Sequence, residues 1–135
     1  MASPDVVYQF IDIVQAAAAA ENRYLEPPGA SGSVWRCTSA RFTPATAVTA
    51  HDTDYVTLAL KKGATTVFSK NTKVTGGSAF VAGTPLALTA GSTVKGDEFT
   101  VGTNVLDIDI APAGGGKVCD GSLKLRWEQL SGAGN

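Results

Sequence analysis

His51, Asp52 and Asp54 sit together in AVTAHDTDYVTLALKKG, residues 47–63, the densest set of side chains here that could ligate a metal or move a proton. A zinc site needs three or four convergent nitrogen, sulfur or carboxylate ligands. His51 is the only histidine, and Cys37 and Cys119 lack a close ligand spacing. A turn explains the cluster without a ligand: Thr49, Asp52 and Thr53 can bond nearby backbone amides, and Tyr55 then begins a strand. Asp107 and Asp109, with Asp97 and Glu98, offer the hard oxygens that calcium takes, but no EF-hand-like spacing organises them. A serine triad would have to use His51, and there is no GxSxG elbow to present a nucleophile. GGGK, residues 114–117, fails the phosphate-loop pattern because Val118 follows the lysine. The expectation is a chain that is not an enzyme and uses neither metal nor cofactor, with His51 in a structural or interface role.

Composition narrows the classes further. The 135 residues amount to about one domain, with 11 Lys and Arg against 12 Asp and Glu and a formal charge of -1. No basic run is interleaved with aromatics, which disfavours nucleic acid as a partner. Asp5 and Asp12 precede the first cationic residue, Arg23, so VVYQFIDIVQAAAAA lacks the positive flank of a secretory signal, and its acids argue against a membrane span.

The elements carrying these residues change character near residue 30. Before it, Val6, Phe10, Ile13, Ala17 and Ala20 recur at helical spacing, and five consecutive alanines favour a helix over Asp5 to Arg23. VVYQFIDIV is also β-branched and aromatic enough for a strand over Val6 to Ile13, so both readings stand until Pro27 and Pro28 end the element. Beyond it the period is two. Apolar residues alternate with polar ones around Val56, Leu58 and Leu60, around Leu106, Ile108 and Ile110, and around Leu123, Leu125 and Trp127; these nine are the expected core. Strands are expected near 33–42, 54–61, 64–69, 79–82, 85–89, 98–101, 104–110 and 121–128, with glycine-rich turns between them. The fold class is therefore all-β, an antiparallel β-sandwich or small β-barrel or jelly-roll-like domain, with an N-terminal helical or extended arm. The expected organisation is an arm at 1–30, a β-rich domain at 31–130 and a flexible tail at 131–135. Cys37 and Cys119 read as reduced core residues, although a disulfide would be possible if their strands were neighbours.

SARFTPATAVTAHDTDYVTLALKKG, then TKVTGGSAFVAGTPLALTAGSTVKGDEFTV, then GSLKLRWEQ, resembles small virion structural proteins of tailed bacteriophages, of the kind that decorate the capsid head. The resemblance spans about residues 33–130. It implies a β-rich domain on the outer surface of a virion, with the major capsid protein as partner and a homo-oligomer, preferably a trimer, as its state. Large apolar residues in the N-terminal segment exceed what one helix stripe can hide, which makes Val7, Tyr8, Phe10, Ile11 and Val14 candidate interface residues beside His51. The domain's own sheet, a symmetry mate or a capsid subunit would cover them. A carbohydrate-binding or host-adhesion module is the alternative, with Trp35 as its glycan platform.

Overall fold

The computed structural model describes residues 5–15, 18–115 and 117–131. Among them lie ten strands: β1 (Val6–Ile13), β2 (Glu21–Leu25), β3 (Val34–Pro44), β4 (Tyr55–Lys62), β5 (Thr65–Asn71), β6 (Leu86–Ala87), β7 (Thr89–Ala90), β8 (Glu98–Thr100), β9 (Leu106–Ala113) and β10 (Gly121–Ser131). One five-stranded antiparallel sheet runs β1-β10-β3-β6, with β8 also paired to β3, and the other runs β2-β9-β4-β5-β7. Their apolar faces share one buried cluster, so the molecule is a β-sandwich.

The period-two pattern dictates this because alternate side chains leave a strand on opposite faces. All nine expected core residues are completely buried, with three each from β4, β9 and β10. Each such side chain contributes roughly 1.5–3 kcal/mol by leaving water. Phe42 from β3, Phe99 from β8 and Phe80 add aromatic rings to this core; Phe99 meets Trp127 edge-on at 5.2 Å and Phe42 lies 5.2 Å from Phe80.

Only β4 and β5 are consecutive strands of one sheet; every other connection crosses to the opposite sheet. Their turn is Gly63-Ala64, with Lys62 paired to Thr65, and Gly63 takes φ of 59°. Positive φ matches the turn to the right-handed strand twist, which is why glycine stands there.

The N-terminal segment adopts the extended alternative, not the helix. β1 pairs with β10 from Val6↔Glu128 to Ile13↔Gly121, and β2 pairs with β9 from Glu21↔Ile110 to Leu25↔Leu106. Ladder bonds along β1 and the burial of Ile11 and Ile13 outweigh the intrinsic preference of the alanine run, whose Ala16 and Ala17 lie outside the described residues. The expected boundary near residue 30 therefore does not set an arm apart: this segment gives one strand to each sheet. Gln15 secures the crossover between them. Its backbone N–H donates to Asp120 Oδ1 (2.7 Å), its Oε1 accepts from Cys119 N (2.8 Å), and its Nε2 donates to Ala19 O (2.6 Å).

Strand boundaries differ from the sequence reading in several places. The expected strand at 79–82 is a single bridge between Val48 and Phe80. The strand at 85–89 divides at buried Leu88, sending β6 to one sheet and β7 to the other. β10 continues to Ser131, paired with Val34, and the rest of the expected tail, 132–135, lies outside the described residues.

Cys37 and Cys119 are free and buried. Burial pushes both thiols up to about 12 from a usual value near 9. The folded chain thus holds these protons at pH values where the unfolded chain releases them. Their contribution is fully present below pH 9 and is lost as pH rises towards 12, at about 1.4 kcal/mol per pH unit for each thiol. Urea denaturation at pH 8, 9 and 10 should show that decline, and a Cys37→Ala, Cys119→Ala double variant should flatten it. An equally steep decline in the double variant would place the titrating groups elsewhere.

Candidate functional site

The His51 cluster holds loops together. His51 Nδ1 accepts from the backbone N–H groups of Thr53 (3.1 Å) and Asp54 (2.9 Å), which makes it the cap of its own turn. Asp52 Oδ1 accepts from Thr75 N (2.9 Å), and Asp54 Oδ1 accepts from Gly115 N (2.6 Å). Thus His51 holds the turn before β4, and the two aspartates fasten that turn to the loop after β5 and to the turn after β9. Gly114 is required at that last turn: its φ is 63°, and a Cβ there would lie 2.2 Å from the Thr53 carbonyl oxygen. No group of three or more His, Cys, Asp or Glu side chains converges among the described residues. Asn offers an acceptor oxygen near the place of Nδ1, so His51→Asn should keep the turn while His51→Ala should cost about 1 kcal/mol, as lost caps do. Equal stability of the two variants in thermal unfolding would remove the capping role.

A different surface, at the edge of the first sheet, exposes large apolar side chains. β1 is the edge of its sheet, and its outward side chains Val6, Tyr8, Phe10 and Asp12 alternate with the inward Val7, Gln9, Ile11 and Ile13. Tyr8 is 50% exposed, Phe10 67% and nearby Val14 68%. The same face carries Lys124 and Arg126 from β10 and Ser39 and Arg41 from β3, in the rows Tyr8–Arg126–Ser39 and Phe10–Lys124–Arg41. Lys124 Nζ lies 4.6 Å from the centre of the Tyr8 ring and 5.8 Å from that of Phe10, a cation–π arrangement. Tyr8, Ser39, Arg41, Lys124 and Arg126 line a shallow depression of about 180 Å³.

Charge on this face is unbalanced. Lys124 and Arg41 are directly opposite on adjacent strands, where like charges destabilise a sheet, and the flanking residues of their row are Phe10 and Ala87. Arg126 is partly compensated: Nη1 donates to Thr38 Oγ1 (2.7 Å) and reaches Glu128 at 3.5 Å.

The edge of β1 is also open. Asp5 O accepts from Gln129 N (2.9 Å), which fixes the ladder phase: residues 7, 9, 11 and 13 turn their main-chain groups towards β10, and 6, 8, 10 and 12 turn theirs away. Arg23 covers the far end of that edge, donating to Asp12 O (3.0 Å) and to Val14 O. Among the described residues, no strand pairs with the outward N–H and C=O groups of Val6, Tyr8 and Phe10.

Of the interface residues read from sequence, Tyr8, Phe10 and Val14 lie on or beside this face, while His51 is exposed in its turn. Val7 is half-buried against the core. Ile11 is corrected to a core residue because its phase in β1 points it inward. Trp35 is corrected likewise. It is 5% exposed, and its indole Nε1–H donates to Ser33 Oγ at 2.9 Å, so its ring is no open platform for a sugar. Arg41, Lys124 and Arg126 escaped the sequence reading because pairing, not chain order, brings them together; their only sequence sign was the polar half of the β3 and β10 alternations. No protein-family model matches the chain, and no curated protein matches it.

Proposed function

We propose that this chain is a non-enzymatic virion structural protein that docks on the outer surface of a bacteriophage capsid lattice, with the major capsid protein as its partner. One observation supports docking above all: an edge strand presents Val6, Tyr8 and Phe10 to solvent, and among the described residues no strand pairs with their outward main-chain groups. A sandwich with such an edge makes contact over an extended surface, as lattice binding requires. The identity of the lattice rests on the sequence resemblance, as does the trimer. The carbohydrate-binding alternative relied on Trp35, and the burial of that ring removes its support.

The test is co-sedimentation and low-resolution imaging of capsids assembled with and without the chain. Added density on the shell is expected, and Phe10→Asp should weaken particle binding by at least about tenfold, roughly 1.4 kcal/mol. Light scattering of the free chain tests the trimer. Capsids that gain no density would overturn the reading.

A further inference from the structure

We propose that the open edge of β1 accepts an extended acidic segment of a partner protein as an added strand, whose carboxylates lie over the sheet face against Lys124 and Arg126. Two independent features meet here. The outward N–H and C=O groups of Val6, Tyr8 and Phe10, which no strand among the described residues meets, alternate along the edge, and another strand satisfies donors and acceptors together. The phosphates of nucleic acid or the sulfates of a glycan supply acceptors alone, with no donor at strand spacing for the outward carbonyl groups. Beside that edge, Lys124 and Arg41 lie opposite each other with no carboxylate in their row.

The lean of Lys124 selects where the incoming charge sits. Its ammonium lies over Tyr8, on the β1 side of its own strand and away from Arg41. A strand added outside β1 would run about 4.8 Å beyond it, which places an outward glutamate within reach of that ammonium across the Tyr8 ring. Arg126, paired with Tyr8, offers the second cation, and Arg41 adds to the field from behind.

Charge also decides against a second copy of this chain on the edge. Another β1 would bring Val6, Tyr8 and Phe10 to the face, with Asp12 as its sole outward acid beside the carbonyl groups that Arg23 already covers. Lys124 and Arg41 would stay without a carboxylate in their row. An acidic partner strand compensates them, and its chemistry is that of alternating Asp or Glu with β-forming residues. The coat-binding reading enters only in naming that partner as a capsid subunit.

The probe is a short synthetic peptide of alternating glutamate and threonine, followed by fluorescence anisotropy with the full chain, beside a glutamine–threonine control. Glutamate peptide is expected to bind, to weaken as salt screens the face, and to lose about tenfold or more in affinity with Lys124→Glu. Tyr8→Pro removes an N–H that points away from β10, so it should abolish binding beyond the loss seen in Tyr8→Ala. Should Tyr8→Pro fail to fold, amide exchange in the unaltered protein replaces it, with slowed exchange at Val6, Tyr8 and Phe10 expected on adding peptide. Equal binding of the glutamine peptide, unchanged exchange at that edge, or complete displacement by oligothymidylate at equal charge would overturn the inference. Peptide binding without particle binding would overturn the coat reading and leave the acidic-strand site standing. Particle binding without peptide binding would do the reverse.

Discussion

A chain lacking residues 1–26 is expected to lose its cooperative fold. The deletion strips β1 from β10 and β2 from β9, so two interior strands become uncovered edges. It also removes Ile11 and Ile13 from the core and Gln9, whose Oε1 accepts from the buried Trp127 indole N–H at 3.0 Å. Two isoleucines contribute about 3–6 kcal/mol by burial, and leaving one indole N–H unpaired costs about 1–3 more. Exposed apolar faces beside β10 and β9 add to that loss. Together these approach the whole net stability of an ordinary domain, about 5–15 kcal/mol. Circular dichroism and an amide correlation spectrum of residues 27–135 would check it. A sharp unfolding transition close to that of the full chain would restore the reading of this segment as a separable arm.

Leu58→Ala and Leu125→Ala are each expected to cost about 2–5 kcal/mol, through lost transfer energy and the cavity left behind. Both side chains are completely buried, one on each sheet, in a core where neither β4 nor β10 is an edge strand. Neighbouring strands restrain both backbones, which limits collapse into the vacated space. Urea denaturation gives the two values directly. A cost below about 0.5 kcal/mol in both would mean that the inner faces had been misassigned. Larger unfolding in the double variant than the two singles add up to would show that the two leucines share one cavity.

Alternation along a strand is a local property, and it was legible. Val56, Leu58, Leu60, Leu106, Ile108, Ile110, Leu123, Leu125 and Trp127 declare their inward phase from spacing alone, since a one-residue slip would expose the whole set. That was enough for the fold class and for the strands carrying those residues. His51, Asp52 and Asp54 were legible as turn chemistry for a similar reason, because His51 bonds within its own loop; the distant partners of the two aspartates were not.

Tertiary structure decided what depends on partners remote in sequence. Val6–Ile13 carries both a helical and an extended pattern, and the choice was made by pairing with β10, more than a hundred residues away by its Asp5–Gln129 bond. Trp35 had no strong phase of its own; the pairing of β3 with β8, which sets Trp35 opposite buried Phe99, turned it inward. Arg41, Lys124 and Arg126 are ordinary solvated positions when read in order, and only the β1-β10-β3 register makes them neighbours of Tyr8 and Phe10. Side-chain periodicity encodes which face of a strand is apolar, but not which strand lies beside it or which edge is left open, because those follow from the summed burial and hydrogen bonding of the whole sandwich.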